Sequence, residues 1–186
     1  FKVNHLFVHR CQILNGEVII GDTVCAAIDA ARRSEIRVHH TSAHLLQAAL
    51  VKVLGDEVKQ AGSQVEENRM RFDFTFSRAM TPDEVQKTEN LMNEWISEKL
   101  PVRTDVMDIE EAKLTGATAL FGEKYEDIVR VVSIGGQGKC KCGGKCKCHE
   151  QIQEVISREF CAGTHAKNTG DLRLAKIISK SAIAAG

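Results

Sequence analysis

Apolar and polar residues change rhythm several times along the 186-residue chain, and each change predicts an element. CQIL and EVII are apolar-rich runs separated by Asn15-Gly16, a strong two-residue hairpin signal, and Gly21-Asp22 turns the chain into TVCAAID. From His40 the spacing becomes helical: Leu45, Leu46, Ala48, Ala49, Leu50, Val53 and Leu54 form one broad apolar face that Gly55 ends. RMRFDFTF then alternates Met70, Phe72, Phe74 and Phe76 against polar neighbours, the period of a half-buried strand. Thr81-Pro82-Asp83-Glu84 supplies a cap, a first-turn proline and a capping-box glutamate for a helix carrying Val85, Leu91, Met92, Trp95 and Ile96. A shorter helix is expected from Asp108, with Glu111 at the capping-box position, to Gly116. IVRVVSI, SREFCAG and LRLAKIIS read as later strands. Helices and strands mix without a βαβ repeat, so the predicted class is α+β. The charged segment Ala31 to Arg37 marks a boundary between a small β unit, residues 1–38, and the rest, residues 39–186.

Composition narrows the partners. Lys plus Arg equals Asp plus Glu at 25 each, so no global positive field points to nucleic acid, although a local basic patch is compatible with this balance. No apolar run approaches the ~20 residues needed to span a bilayer, and FKVNHLFVHR lacks a signal-peptide core, so no membrane role is expected. A chain starting at Phe and ending on SAIAAG reads as an excised domain. Seven cysteines, four of them crowded into a Lys/Gly tract, do not resemble a disulfide framework and point to a reducing compartment. Cys11 and Cys25, in apolar strand-like runs, are expected to be packed.

Candidate chemistry falls in two places. KCKCGGKCKCHE, residues 139–150, gathers Cys140, Cys142, Cys146 and Cys148 beside His149, a set able to bind a soft ion such as Cu(I) or Zn(II). Its CxCxxxCxCH spacing differs from the paired CxxC of common zinc folds, and it carries no apolar residue for a mini-core, so a loop without metal is the competing reading. The second place is quieter. His40 and His44 sit one helical turn apart on one face, and Cys161 and His165 repeat that separation about 120 residues later. Two such pairs converging on one ion would give zinc a mixed imidazole and thiolate set. Thr41 stands where the general-base Glu of an HExxH peptidase would be, which excludes that family as a close reading.

Four separated segments, HTSAHLLQAAL, KQAGSQVEENRMRFDF, ALFGEKYEDIVRVVSIG and FCAGTHAKNTGDLRLAKIISKSAIAAG, resemble the editing domain of alanyl-tRNA synthetase in that order, over roughly residues 10 to 186. The resemblance implies a zinc site made by His40, His44, Cys161 and His165, with Gln60 lining it and residues 1–38 the remnant of a small β-barrel. It implies hydrolysis of the ester of mischarged tRNA(Ala), chiefly seryl and glycyl, with the tRNA(Ala) acceptor end and the remainder of a synthetase chain as partners. Gln60, Thr41 and Cys161 become the candidate catalytic residues, although Thr41 also reads as a plain residue near the helix N-terminus. A cytoplasmic location follows, with an organelle left open.

Three departures from the family pattern stand out. Ala43 replaces a common Thr in HTATH, Ala162 replaces a Gly in CGGTH, and about twenty residues, 136–157, are inserted between VRVVSIG and the next strand. That places the cysteine stretch at the tip of an expected hairpin, where added length costs little closure entropy. Zinc could activate a water or merely organise the pocket, depending on whether all four ligands stay bound. Arg69, Arg71, Lys124, Lys167, Arg173 and Lys176 are available to hold RNA, and each also reads as solvated surface. A freestanding deacylase, and a metal-binding module that has lost catalysis, are the rival readings.

Overall fold

The computed structural model describes residues 2–3, 6–119, 125–136 and 154–182. In chain order it contains β1 (Lys2–Val3), β2 (Leu6–Phe7), α1 (Ala30–Leu54), β3 (Lys59–Val65), β4 (Met70–Thr75), α2 (Pro82–Ser97), β5 (Val102–Asp108), α3 (Ile109–Leu114), β6 (Ile128–Gly135) and β7 (Val155–Phe160), then a single 3-10 turn at Thr169–Leu172. The class is α+β, as expected from the sequence. Strands β5, β6 and β7 form one antiparallel sheet, with β6 in the centre, while β3 and β4 make a separate hairpin with a register shift between Gln60 and Gly62.

Two apolar clusters meet on β6. One joins Leu45 and Ala49 of α1 to Met92, Trp95 and Ile96 of α2, and takes in Leu100, Ile134, Ala166 and Leu172. The other joins Ala112 of α3 to Val129, Val131 and Phe160. A strand in the middle of a sheet covered on both faces has no solvent side, which is why IVRVVSI is a nearly continuous apolar run. The α2 start follows its sequence signal: Thr81 Oγ1 accepts from Glu84 N at 3.2 Å and the Glu84 carboxylate accepts from Thr81 N at 2.8 Å.

Several expectations change. Helix α1 begins at Ala30, capped by Asp29 accepting from Arg32 N at 2.9 Å, ten residues before the expected start at His40. Its first turns bury nothing fully, so helix-forming Ala, Arg and Glu rather than an apolar face sustain them. No strand occurs between Val8 and Asp29, and no closed barrel is present among the described residues. The turn chemistry there is real, since Ile19 N donates to Asp22 Oδ2 and Asp22 N to Ile19 O, but a two-stranded hairpin with no packing face is marginal. Cys11 and Cys25 are accordingly exposed rather than packed. LRLAKIIS is not a strand: its backbone is held by α2 side chains, Asn93 exchanging two 2.9 Å bonds with Ala175 and Glu89 accepting from Ile177 N at 2.9 Å. Strands β3 and β5 carry too little regular alternation to have been anticipated.

The β6–β7 hairpin is pinned at its open end. Gly136 N donates to Glu154 O at 3.0 Å, and Arg103 reaches the carbonyls of Gly135 and Gly136 at 2.9 and 2.6 Å. Gly135 has φ 79°, and a Cβ there would strike the Glu154 carbonyl. The hairpin expected to carry the inserted residues is therefore present, whereas Cys140, Cys142, Cys146 and Cys148 lie outside the described residues.

Candidate metal centre

His40 and His44 project from one face of α1, and the chain leaving β7 brings Cys161 and His165 against them. One ligand atom from each of the four residues lies within 4.8 Å of all the others. The imidazole centroids are 4.4 Å (His40–His165), 5.0 Å (His44–His165) and 5.3 Å (His40–His44) apart, and Cys161 Sγ lies 3.5 Å from His40 Nε2. Backbone contacts fix the loop that makes this approach: Cys161 N donates to Arg130 O at 3.0 Å and the Arg130 guanidinium donates to Ala162 O at 2.6 Å. Gly163 passes directly over His40, where a Cβ would overlap the ring. The family departure at Ala162 is harmless by comparison, because Ala162 is exposed and its φ is not positive.

The ring nitrogens are oriented from behind. His44 Nδ1 donates to Glu159 Oε2 at 2.7 Å, and Ser157 Oγ holds the other carboxylate oxygen at 2.6 Å. With that proton on Nδ1, neutral His44 turns its Nε2 lone pair inward, the carboxylate–histidine arrangement that metal ligands use. Thr41 is fully buried; its hydroxyl donates to Arg37 O at 2.9 Å, accepts from Ala166 N at 3.0 Å and lies 3.5 Å from His165 Nδ1. It therefore ties α1 to the loop carrying His165. Nε2 of His44 and Nε2 of His165 are buried without any hydrogen-bond partner. Orphaned ring nitrogens beside a thiol are costly unless something accepts their lone pairs, and a borderline-soft cation fits this three-nitrogen, one-sulfur set.

Electrostatics agree with that donor set. Burial would push the Cys161 thiol up, but the imidazoles of His165, His40 and His44 crowded around the sulfur outweigh it and bring the group down to about 3. Burial would likewise lower His44, yet the nearby Cys161 sulfur and the bond to Glu159 raise it to about 10. His165 stays below the ordinary histidine range, chiefly through burial, with the neighbouring imidazoles adding to it. In the metal-free chain the surrounding imidazoles therefore favour the thiolate form of Cys161.

The sequence named all four residues that the fold brings together here. It did not name Glu159, near the end of β7 and two residues before Cys161, nor Arg37, whose Nε donates to Thr164 Oγ1 at 2.9 Å. Gln60 lies on β3, half-exposed, with its amide donating to Ser63 Oγ at 3.4 Å; no hydrogen bond among the described residues joins it to the four clustered residues. A cavity of about 430 Å³ opens beside His165, lined also by Arg37, Lys167, Asp171 and Arg173.

Comparison with known proteins gives this centre a context. The family described as "Threonyl and Alanyl tRNA synthetase second additional domain" matches residues 129–186, the span from β6 to the end that includes Cys161 and His165. Alanine–tRNA ligase of Synechococcus sp. (strain JA-3-3Ab) is 45% identical over 185 residues, all of this chain and 19% of that protein. The chloroplastic/mitochondrial alanine–tRNA ligase of Oryza sativa subsp. indica is 42% identical over the same length, 17% of its own. That of Thermotoga maritima is 43% identical over 181 residues, 97% of this chain and 19% of the relative. The chain spans about a fifth of the length of these relatives. With motifs, centre and whole-chain identity in agreement, the chain belongs to the alanine–tRNA ligase family and corresponds to its editing-domain segment.

Proposed function

We propose that the chain hydrolyses the ester of mischarged tRNA(Ala), seryl and glycyl before alanyl, at a zinc ion held by His40, His44, Cys161 and His165. The observation that carries this reading is the convergence of three imidazoles and a thiol, two of the imidazole nitrogens orphaned, in a protein whose relatives are alanine–tRNA ligases. Zinc bound there supplies a Lewis acid. Everything else is the work of the chain.

Glu159 keeps the Nδ1 proton of His44 and so holds its Nε2 toward the ion. Thr41 acts as a positioning residue, because its hydroxyl is already committed to Arg37 O and Ala166 N. Gln60 is our candidate for the group that reads the serine hydroxyl: a polar group paired with serine is left unpaired by alanine, a penalty that protects the correct product, while glycine enters by size. The hydrolytic unit is residues 39–186 together with the first turns of α1, and the partners are the acceptor end of tRNA(Ala) and the remaining synthetase domains.

The test is deacylation of seryl-, glycyl- and alanyl-tRNA(Ala) by the purified, zinc-loaded chain. Seryl and glycyl esters should be cleaved at least tenfold faster than alanyl, and a chelator should abolish the activity until zinc is restored. Cys161→Ala should lose at least tenfold, about 1.4 kcal/mol in the barrier. A loaded chain that cleaves none of the three esters would refute the reading; activity indifferent to chelation would move the chemistry elsewhere.

A further inference from the structure

We propose that the cavity beside His165 is a phosphodiester-binding subsite, in which Arg173, Lys167 and Arg37 grip the backbone of the RNA strand whose 3′ end carries the ester. The inference rests on the editing reading for its choice of RNA, and it adds where that RNA is held.

The cations sort themselves by pairing. Arg69 is neutralised by Glu66 at 3.0 Å, Arg71 by Asp73 at 3.1 Å and Lys176 by Glu89 at 2.7 Å. Lys124 lies outside the described residues. Lys167 and Arg173 remain, and both line the cavity that His165 also lines, together with Arg37 from α1. None of these three makes an ion pair among the described residues. The one acid in the lining, Asp171, spends its carboxylate on Lys167 N, Asn168 N and Asn168 Nδ2 at 3.0 to 3.3 Å. Three unpaired cations against one engaged carboxylate, beside the metal centre, suit a ligand that is anionic along its backbone.

Arg173 adds an independent observation. It has φ 62° and ψ −65°, and Leu174 N donates to Leu172 O at 2.7 Å across it, so it occupies the centre of the strained, positive-φ γ-turn. Glycine fits this conformation more readily, and only Lys99 and Arg173 among the described non-glycine residues have positive φ. An arginine held in a conformation suited to glycine serves its side chain rather than its backbone, the pattern found where strain is kept for a ligand.

Arg173→Gly separates the two roles. Affinity is read with uncharged single-stranded RNA ending in CCA, so a chain that binds but does not hydrolyse overturns the editing reading and not this one. We expect Arg173→Gly and Lys167→Gln each to weaken RNA binding at least fivefold and to lower the slope of log affinity against log salt by about 0.7, the value for one contact on a single strand. Arg173→Gly should leave the thermal midpoint unchanged or higher, and in deacylation should raise KM while kcat stays within twofold. Lys87→Gln, which removes one charge from α2, should leave RNA affinity unchanged. Inorganic phosphate at millimolar concentration should compete poorly. Unchanged affinity and slope in both cavity variants would overturn the proposal, as would a loss equalled by Lys87→Gln. So would a phosphate ion that binds as tightly as the RNA.

Discussion

At Gly163 the chain lies so close to His40 that the choice of residue decides whether the imidazole can stay in place. Gly163→Ala should therefore weaken zinc at least tenfold in competition with a chromophoric chelator, whereas Ala162→Gly, at an exposed and unstrained position, should leave it unchanged. The lowered Cys161 value gives a second expectation at this scale. A thiol brought down to about 3 is a thiolate at every pH above that value and is protonated only as pH falls toward it. In metal-free protein, mass-mapped alkylation of Cys161 should accordingly run at nearly constant rate from pH 5 to 8, where a free cysteine with a pKa of about 8.5 would slow more than a hundredfold. Zinc should protect it. The four clustered residues were legible in the sequence because their types and their two matching separations pair them before the fold brings them together. Glu159, Thr41 and Arg37 were not, because a carboxylate, a hydroxyl and a guanidinium acquire these roles only once β7 and α1 are side by side.

Among the elements, the segment after the 3-10 turn shows how a real pattern can mislead. Ala175 and Ile177 are half-buried, while Leu174, Lys176 and Ile178 are exposed, so LRLAKIIS does alternate, but its partner is the polar edge of α2 and not a strand. Asn93→Ala should remove both Ala175 bonds and cost about 1–3 kcal/mol, measured by denaturant unfolding, with faster amide exchange at Ala175. Glu89 supplies the pH signature of the same clamp. Its carboxyl is held below the ordinary range by Lys176 and by the Ile177 N–H, so its stabilisation is present at neutral pH and is lost as pH falls through the folded-state value. Glu89→Gln should lower the thermal midpoint at pH 7, and its difference from the unmodified chain should shrink as pH falls below the ordinary carboxylate range. Capping chemistry made α2 legible to within a residue, whereas α1 was read only from the point at which its apolar face begins.

Across the whole molecule, the apolar cluster of Leu45, Ala49, Ile134 and Ala166 already holds α1 against the sheet and the His165 loop, independently of any metal. Chelation should therefore leave far-ultraviolet circular dichroism unchanged and remove only the linkage contribution, about 2.7 kcal/mol when free zinc is a hundredfold above its dissociation constant. Unfolding on chelation would instead make the ion a structural necessity. The class was legible because mixed periods exclude the alternatives, but the partnering of β5 with β6 was not, since pairing across such separations leaves no local signal. The pinned mouth of the β6–β7 hairpin carries a consequence for the stretch beyond it. With Gly136, Glu154 and Arg103 fixing where the two strands part, what is spliced between residues 137 and 153 transmits no shift to the register that delivers Cys161. A cysteine-rich passage can then be carried there without the cluster of His40, His44, Cys161 and His165 having to accommodate it.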